Sequence, residues 1–377
     1  NIDLEKVPTP NYDDYDLSLY QYINEPTLSI TGSKGCVRQC TFCDIPVLWP
    51  KFKFRSGDHI AQEMLELKAR YNVSKFYMSD SLVNGSMRAF MDFIQTLAEY
   101  NKNNPTDTIR WVGQYITRPV HQIPKDYYTT LALSGGEGLT IGAESGSDNV
   151  RDHMRKKFST YDLDTEMTQF SENNIVCVLL FFSSYPTETW SDFCDTADML
   201  MRYMPHYASG TIYKMTLGIP YTHHHNTPLW NMQDDIGLDY DTDTDVLWLM
   251  DDNQGLTFYE RIRRRLILQE IAFSLNIPLS RNDAELNQLR YTLEFHLSKI
   301  EEYFGKCPDI EIYPDIYNLT EFNQLLMPED LQIKTMNCKN ANLKNISSIN
   351  NLHKDLADNI GFDKIGYTNL KTALGNI

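Results

Sequence analysis

The chain has 377 residues, of which 42% are hydrophobic and 23% are charged. This length allows a substantial core in one large or two ordinary domains, and the composition excludes collagen, a coiled coil or a disordered chain. The 34 Lys and Arg residues and the 51 Asp and Glu residues give a net charge of −17. This charge argues against a broad binding surface for nucleic acid or anionic lipid, although it is compatible with a local basic pocket.

No stretch approaches the roughly 20 apolar residues that cross a bilayer, and the N-terminus lacks the basic and then apolar pattern of a secretory signal. We therefore expect a soluble, cytoplasmic protein without a membrane partner. The sequence begins with Asn1 rather than Met, which indicates a processed chain or part of a longer one.

From residue 27, short β-branched or aromatic runs alternate with longer stretches that have apolar residues at helical spacing. The predicted strands are Thr27–Thr31, Lys75–Ser79, Arg110–Tyr115, Gly138–Ala143, Ile175–Phe182 and Gly210–Leu217. The predicted helices between them are Ala61–Tyr71, Met87–Tyr100, Pro124–Leu133, Tyr161–Asn173 and Glu188–Met204. This alternation predicts an α/β fold with a parallel sheet, either doubly wound or a partial or full barrel. Ligands are then expected beyond the carboxyl ends of the strands.

The same pattern divides the chain into four segments. Residues 1–26, acidic and Pro-containing, are predicted to be a linker or strap, and residues 27–230 the α/β domain. Residues 231–304 begin with eight Asp within 231–252 and continue with two predicted helices, Leu256–Leu275 and Asp283–Tyr303. The Asn-rich residues 305–377 are predicted to form a small appendage.

Three of the seven cysteines, Cys36, Cys40 and Cys43, lie close together after the first predicted strand. A tight triplet in a large chain is typical of a metal centre rather than of a disulfide framework. A structural zinc site would need a fourth ligand and usually a second pair of Cys or His. A four-iron, four-sulfur (4Fe-4S) cluster held by three cysteines leaves one iron open to a ligand. The spacing alone leaves both interpretations open.

The motif C-x3-C-x2-C, with the aromatic Phe42 before the last cysteine, resembles the signature of the radical S-adenosylmethionine (SAM) enzymes. The resemblance extends over about residues 8 to 300 and is closest to the subgroup that often carries a cobalamin-binding domain. The segments that carry it are GCVRQCTFCDIPVLWPKFKFRS, YMSDSLVNG, IGAESGSDNVRDHM, LLFFSSYPTET and IPYTHHHNTPLW.

This resemblance implies a partial (β/α)6 TIM-like barrel of the radical SAM type with a C-terminal helical extension. It also implies a 4Fe-4S cluster on Cys36, Cys40 and Cys43, whose open iron binds SAM. Reductive cleavage of SAM would then give a 5'-deoxyadenosyl radical, with a flavodoxin or ferredoxin as the reductant. Cobalamin is a further cofactor of the subgroup. Its domain is absent from this chain, so it either precedes Asn1 in a longer protein or is dispensed with.

The resemblance also assigns SAM contacts to the ends of the strands. Families of this type place Gly-Gly-Glu or an acidic variant after the second strand, where this chain has Ser79, Asp80 and Ser81. Asp80 is therefore the expected acceptor for the SAM amino group, and its alternative role is to cap a helix or form a turn. Phe42 is expected to lie beside the cofactor.

Other expected contacts follow the third to fifth strands. Glu144 and Ser145 would meet the ribose or amino acid part of SAM, with Ser145 as the alternative cap of a helix beginning near Asp148. Arg155, with Lys156 beside it, would reach the SAM carboxylate, unless both are solvated helix charges. Further expected contacts to adenine or substrate, each of which could equally be packing, are Gln114, Tyr115 and Tyr185.

Three other clusters give weaker signals. His223, His224 and His225 are adjacent and point in different directions, which disfavours a shared metal. The series Asp241, Asp243 and Asp245 lacks the glycine and glutamate of a calcium loop. The basic cluster of Arg261, Arg263, Arg264 and Arg265 is expected to pair with the Asp-rich loop before it.

The leading functional hypothesis is a radical SAM enzyme that methylates or otherwise modifies a C–H bond of a small-molecule or peptide substrate. Nucleic acid is disfavoured by the charge of −17. One alternative is a peptide- or protein-modifying radical SAM enzyme without cobalamin. An alternative of another class is a non-catalytic protein that binds zinc or a cluster for structural reasons.

Overall fold

The computed structural model describes residues 3–20, 25–217, 226–240, 248–250 and 328–338, and ten positions within 264–277. Its strands are β1 Thr27–Ile30, β2 Ser33–Lys34, β3 Lys53–Phe54, β4 Lys75–Met78, β5 Arg110–Tyr115, β6 Leu139–Glu144, β7 Cys177–Phe181, β8 Ile212–Leu217, β9 Leu238–Tyr240 and β10 Trp248–Met250. Its helices are α1 Ile45–Leu48, α2 Gly57–Tyr71, α3 Met87–Asn103, α4 Tyr127–Leu133, α5 Asp148–His153, α6 Thr160–Glu172, α7 Trp190–Arg202, α8 Met204–Ala208 and α9 Pro228–Asn231. The predicted helix 283–303, the histidine run 223–225 and the aspartates 241, 243 and 245 lie outside the described residues.

One parallel sheet organises the fold. Its six strands follow the order β1-β4-β5-β6-β7-β8, and every neighbouring pair is parallel. A doubly wound sheet would reverse its order at a switch point, whereas this order runs in one direction, as in a TIM-like barrel. β1 and β8 are the two edges of the sheet. The predicted α/β fold and all six predicted strands are confirmed, with bounds that shift by two residues or fewer.

The two faces of this sheet differ in burial. Trp111 and Tyr115 of β5 are fully or almost fully buried and contact Phe90 of α3, with ring centroids 6.0 and 6.5 Å apart. Tyr115 therefore packs in the core rather than facing a ligand. At alternate positions on the other face the side chains are only half-buried, as at Gln114 and Glu144. Parallel sheets are normally covered on both faces, so within the described part of the chain this polar face is available for a ligand.

The strap contacts helix α2, and described residues of the segment 264–277 pack in the core. Tyr71 of α2 bonds the backbone N–H of Tyr12 at 2.7 Å and donates to the Asp13 carboxylate at 2.9 Å. Apolar residues at helical spacing join the core from positions 264–277, namely Ile267, Leu268, Ile271 and Leu275. They confirm the helical pattern predicted there at the described positions. Among the described helices, none is long and apolar enough to cross a membrane.

Helices α2 and α3 cross so closely that their backbones are in contact. Gly57 opens α2, and a Cβ atom at this position would overlap the carbonyl oxygen of Ala89 and the backbone nitrogen of Phe93. The close approach allows Met64 and Leu67 to reach the core with exposures of 0 and 1%. Only a residue without a side chain fits at this crossing.

We expect the substitution Gly57→Ala to lower the free energy of unfolding by about 1 to 3 kcal/mol, because the helices must separate to admit the methyl group. Urea denaturation measures this loss. The exposed α2 residue Gln62 provides the control, since Gln62→Ala should change stability by less than about 0.5 kcal/mol. Equal effects of the two substitutions would contradict the assigned crossing.

Candidate functional site

The three cysteines lie on one loop that begins at β2 and ends at α1. The hairpin of β2 and β3 closes the base of this loop through the pairs Ser33–Phe54 and Lys34–Lys53. Gly35 turns the chain into the loop with φ +83°, where a side chain would meet the carbonyl oxygens of Trp49 and Lys51. We refer to residues 35–44 as the cysteine loop.

Thr41 fixes the middle of the cysteine loop to three other elements. Its backbone N–H donates to the Met154 carbonyl at 3.1 Å, and its carbonyl accepts from the Leu229 N–H at 2.8 Å. Its hydroxyl donates to the carbonyl of His153 at 3.2 Å and lies 2.7 Å from the Tyr185 hydroxyl, which can donate to it. One residue between Cys40 and Cys43 therefore links the ends of α5 and β7 and the start of α9.

The three cysteine thiols lack the lowered pKa of a nucleophile. Cys40 is 8% exposed, and Cys36 and Cys43 are half-buried. Burial raises the pKa of all three thiols, that of Cys43 to about 11, whereas a nucleophilic cysteine has a lowered pKa. A bound metal would deprotonate such thiols outright.

The loop differs from a site for a single ion. Among the described residues, no three His, Cys, Asp or Glu side chains are arranged to hold one metal ion. A structural zinc ion draws its thiolates to about 2.3 Å from one centre, whereas a four-iron cluster is bound at separate corners.

An ion pair lies beside the cysteine loop. Lys156 Nζ is 2.6 Å from Glu144 Oε1, and both side chains are 12% exposed. Burial alone would lower the pKa of Lys156, but the charges of Glu144 and Cys40 raise it. The same ammonium group lies 5.6 Å from the centre of the Phe42 ring, so it connects the end of β6 to the loop.

The backbone at the end of β6 is shaped to hold this pair. Glu144 has φ +63°, which is uncommon for a residue with a side chain, and the register of β6 with β7 shifts between Gly142 and Glu144. A Cβ atom at Gly142 would lie 2.9 Å from Lys156 Nζ and would overlap the Glu144 carboxylate. Strain of this kind persists where the surroundings hold it, and it is concentrated at functional sites.

The residues after β4 bond the backbone and side chains that precede the cysteine loop. Asp80 is 4% exposed and accepts a hydrogen bond from the Gly32 N–H at 3.0 Å, and burial raises its pKa to about 6. Ser79 shares a hydrogen bond of 2.8 Å with Thr31, and Ser81 is exposed. Asp80 thus fixes the backbone that enters the cysteine loop, which is the turn-forming alternative considered for it.

Two other predicted contacts have protein partners. Tyr185 is 2% exposed and joins Thr41. Ser145 is fully buried and lies 3.1 Å from the Thr196 hydroxyl. The expectation that Ser145 caps α5 is wrong, because the cap is Ser147, whose hydroxyl accepts from the N–H of Val150.

The remaining predicted contacts divide between the sheet and the surface. Gln114 is half-buried and pairs in register with Thr140 on the polar sheet face. Arg155 is exposed, with φ +59°. Lys156, the residue after Arg155, lies beside the cysteines and interacts with Cys40. The structure therefore groups Phe42, Glu144 and Tyr185 with the cysteine loop and leaves Arg155 and Ser81 outside this group.

Two further residues at the site were not identified from the sequence. Buried Arg38 bonds the Thr117 carbonyl at 3.4 Å and lies close enough to Cys36 and Cys40 for their charges to act on its pKa. Glu188 accepts from the Ser184 N–H and from Arg264, both at 3.0 Å, and so fixes the segment after β7. Arg264 therefore has an acidic partner in Glu188, which the sequence did not indicate.

We expect Thr41→Val to lower the free energy of unfolding by about 1 to 3 kcal/mol, because the buried Tyr185 hydroxyl loses its bond to Thr41. Thermal or urea denaturation measures the change. Thr168 is exposed, and among the described residues its hydroxyl bonds a carbonyl of its own helix, so Thr168→Val is the matched control and should be nearly neutral. A neutral Thr41→Val would show that the loop does not depend on this anchor.

We expect Lys156→Met to cost about 3 kcal/mol of stability, because it leaves the Glu144 carboxylate in a largely buried position without its cation. The double substitution with Glu144→Gln should cost less than the sum of the two single changes, which a double-mutant cycle measures. Lys334 and Asp198 form an exposed pair, 50 and 47% accessible, so Lys334→Met should cost less than about 1 kcal/mol. Additive effects at Glu144 and Lys156 would contradict the assigned coupling.

Comparisons with known proteins agree with this geometry. Residues 30–200 match the model of the radical SAM superfamily. A curated relative, cytidylyl-2-hydroxyethylphosphonate methyltransferase from Streptomyces wedmorensis, is 23% identical over 167 residues, which are 41% of this chain and 29% of that protein. Another, tRNA-2-methylthio-N(6)-dimethylallyladenosine synthase from Acetivibrio thermocellus, is 25% identical over 202 residues, which are 51% of this chain and 40% of that protein.

A solved structure shares the fold. The cobalamin-dependent SAM radical enzyme OxsB, with aqua-cobalamin and SAM bound, superposes with a TM-score of 0.53 at 14% identity, covering 100% of this chain and 61% of that one. The chain thus spans less than two thirds of the length of each of these proteins. The family match covers the three cysteines and strands β2 to β7, with the helices between them. Residues 30–200 of this chain therefore match a radical SAM domain.

Proposed function

We propose that this chain is the catalytic part of a radical SAM enzyme, with a 4Fe-4S cluster bound by Cys36, Cys40 and Cys43. The observation that carries the proposal is the cysteine loop, anchored through Thr41 and flanked by the Glu144–Lys156 pair at the carboxyl end of β6. The cluster and SAM together supply a 5'-deoxyadenosyl radical when both are bound and one electron is delivered. The residues of the chain bind and orient the cofactors.

The site residues have two roles in this proposal. Glu144 and Lys156 offer a carboxylate for ribose hydroxyls and an ammonium for the SAM carboxylate. Gln114 and Ser79, at the ends of neighbouring strands, are further contacts, and Phe42 packs beside the cofactor. Supporting roles go to residues that are both buried and bonded to the protein, Asp80, Ser145 and Tyr185.

Positive charge beside the loop favours this assignment. Arg38 and Lys156 both interact electrostatically with Cys40. Cations next to thiols favour the deprotonated form that metal binding requires. Arg155 and Ser81, both exposed, would reach a ligand only if it extends to the surface, and we propose them as outer contacts.

We propose methylation or another C–H modification as the reaction, on a substrate that is not nucleic acid. Curated and solved relatives that methylate or bind cobalamin support this proposal, and cobalamin would then be a second cofactor. Residues 27–230 would form the catalytic barrel, with 1–26 as strap, 231–304 as helical extension and 305–377 as appendage. No disulfide joins the six described cysteines, which suits a reducing compartment such as the cytoplasm, where flavodoxin or ferredoxin supplies electrons.

Anaerobic reconstitution tests the proposal directly. The full chain should bind close to four irons and four sulfides, and with SAM and dithionite it should release 5'-deoxyadenosine. Cys40→Ala should abolish release and lower the iron content, because one of the three ligands is lost. Cys194, half-buried and outside the loop, provides the control, so Cys194→Ala should retain both properties.

The opposite outcome is also well defined. Tight binding of one zinc ion with no iron would end the cluster assignment and favour a structural role. Iron binding that survives Cys40→Ala would move the cluster away from the cysteine loop.

A further inference from the structure

A cavity lies at the β1 edge of the sheet. It has a volume of about 730 Å³ and is lined by the strap, by strand β1 and by the hairpin of β2 and β3. We call it the strap cavity. Its described lining contains none of the residues assigned above to the cluster or to SAM. Its volume is in the range of about 300 to 1,000 Å³ that is usual for small-molecule sites.

The strap supplies an apolar wall. Leu4, Val7, Pro8 and Pro10 line the cavity from one side, and the ring of Trp49 lines it from the other. Trp49 is 47% exposed and Val7 is 41% exposed. Large apolar side chains that remain accessible around a concave site favour a ligand with an apolar or aromatic body.

The rest of the described lining is strongly basic. It contains the three lysines Lys34, Lys51 and Lys53, together with Arg55 and one carboxylate, Glu63. Arg55 and Glu63 form a buried ion pair, so the lysines give the lining a net positive charge. This is the reverse of the whole chain, whose net charge is −17. A concave lining of one sign concentrates ligands of the opposite charge.

Arg55 adds a fixed polar group to this wall. Its Nη1 donates to the Thr31 carbonyl at 3.1 Å. Its Nε is buried and has no hydrogen-bond partner among the described residues. The guanidinium is held in the wall by Thr31 and Glu63.

While the strap is docked the cavity is preformed, because hydrogen bonds hold the strap at two positions among its lining residues. Glu5 accepts from the Ser56 N–H at 3.0 Å, and the Thr9 hydroxyl donates to Glu66 at 2.9 Å. Both partners belong to the start or the body of α2. A cavity with fixed walls loses less entropy when it binds a ligand.

We propose that the strap cavity binds an amphipathic organic anion, a small molecule with an apolar or aromatic body and a carboxylate, sulfonate or phosphate group. The apolar body would lie between the strap and Trp49, and the anionic group would lie among the lysines. The proposal does not depend on the reaction proposed above, because it rests on this lining alone.

A matched pair of probes tests the charge preference. Equilibrium dialysis of the full chain against 1-naphthaleneacetate and against its neutral counterpart 2-(1-naphthyl)ethanol measures both affinities. We expect the anion to bind at least about fivefold more tightly at low salt, an advantage that falls as sodium chloride is added. Equal affinities for the two probes would overturn the proposal.

Substitutions locate the binding. Lys34→Gln and Lys51→Gln should each weaken the anion about three- to fivefold, as expected for one partly exposed ion pair, and should leave the neutral probe unchanged. Lys102 is an exposed lysine on α3, so Lys102→Gln should change neither affinity. If all three substitutions behave alike, the cavity does not select the anion.

Filling the cavity separates this site from the SAM site. Ser29 lines the cavity from β1, so Ser29→Phe should weaken both probes at least tenfold, and Val7→Trp fills the same space from the strap if Ser29→Phe does not fold. Added SAM should leave the binding of the probes unchanged. Displacement by SAM, or full binding in a folded cavity-filling variant, would place the probe elsewhere and refute the assignment.

Discussion

The cysteine loop contains almost no regular secondary structure, so its shape depends on the hydrogen bonds that Thr41 makes with distant elements. Helices and strands satisfy their own backbone groups, whereas a loop must find partners elsewhere. Thr41 finds them on segments that follow β6, β7 and β8. The positions of the three thiols are therefore coupled to the half of the sheet that lies farthest from β1.

This coupling explains the unusual geometry at the carboxyl end of β6. The Glu144 backbone is strained, and the charged pair with Lys156 would be unfavourable in an apolar interior without its partner. Both features lie where the chain leaves β6 and turns toward the loop. These features lower the local stability at the carboxyl end of β6. The apolar face of the sheet, in contrast, is packed with fully buried residues such as Trp111 and Leu179.

Much of the fold could be predicted from the sequence. The six strands of the sheet are short apolar runs, and the stretches between them have apolar residues at helical spacing. The hairpin of β2 and β3 was not predicted, since strands of two residues contain no period to detect. The cysteines were identified by their spacing. Thr41 was not, because its partners lie 112 and 144 residues away. The sequence did not indicate that Lys156, and not Arg155, would lie beside the cysteines. This placement depends on positive φ angles at residues 155 and 157, which are rare outside glycine.

The strap has a consequence for how the molecule assembles and moves. Its contacts with α2 join residues 57 to 59 positions apart, so the strap can dock only once α2 is in place. It is held by surface hydrogen bonds and few buried side chains, and such segments open with a small fraction of the global unfolding energy. The strap can thus detach and return while the sheet stays folded. Exchange of a molecule beneath it would then be timed by the opening of residues 3–20 rather than by any movement of the sheet.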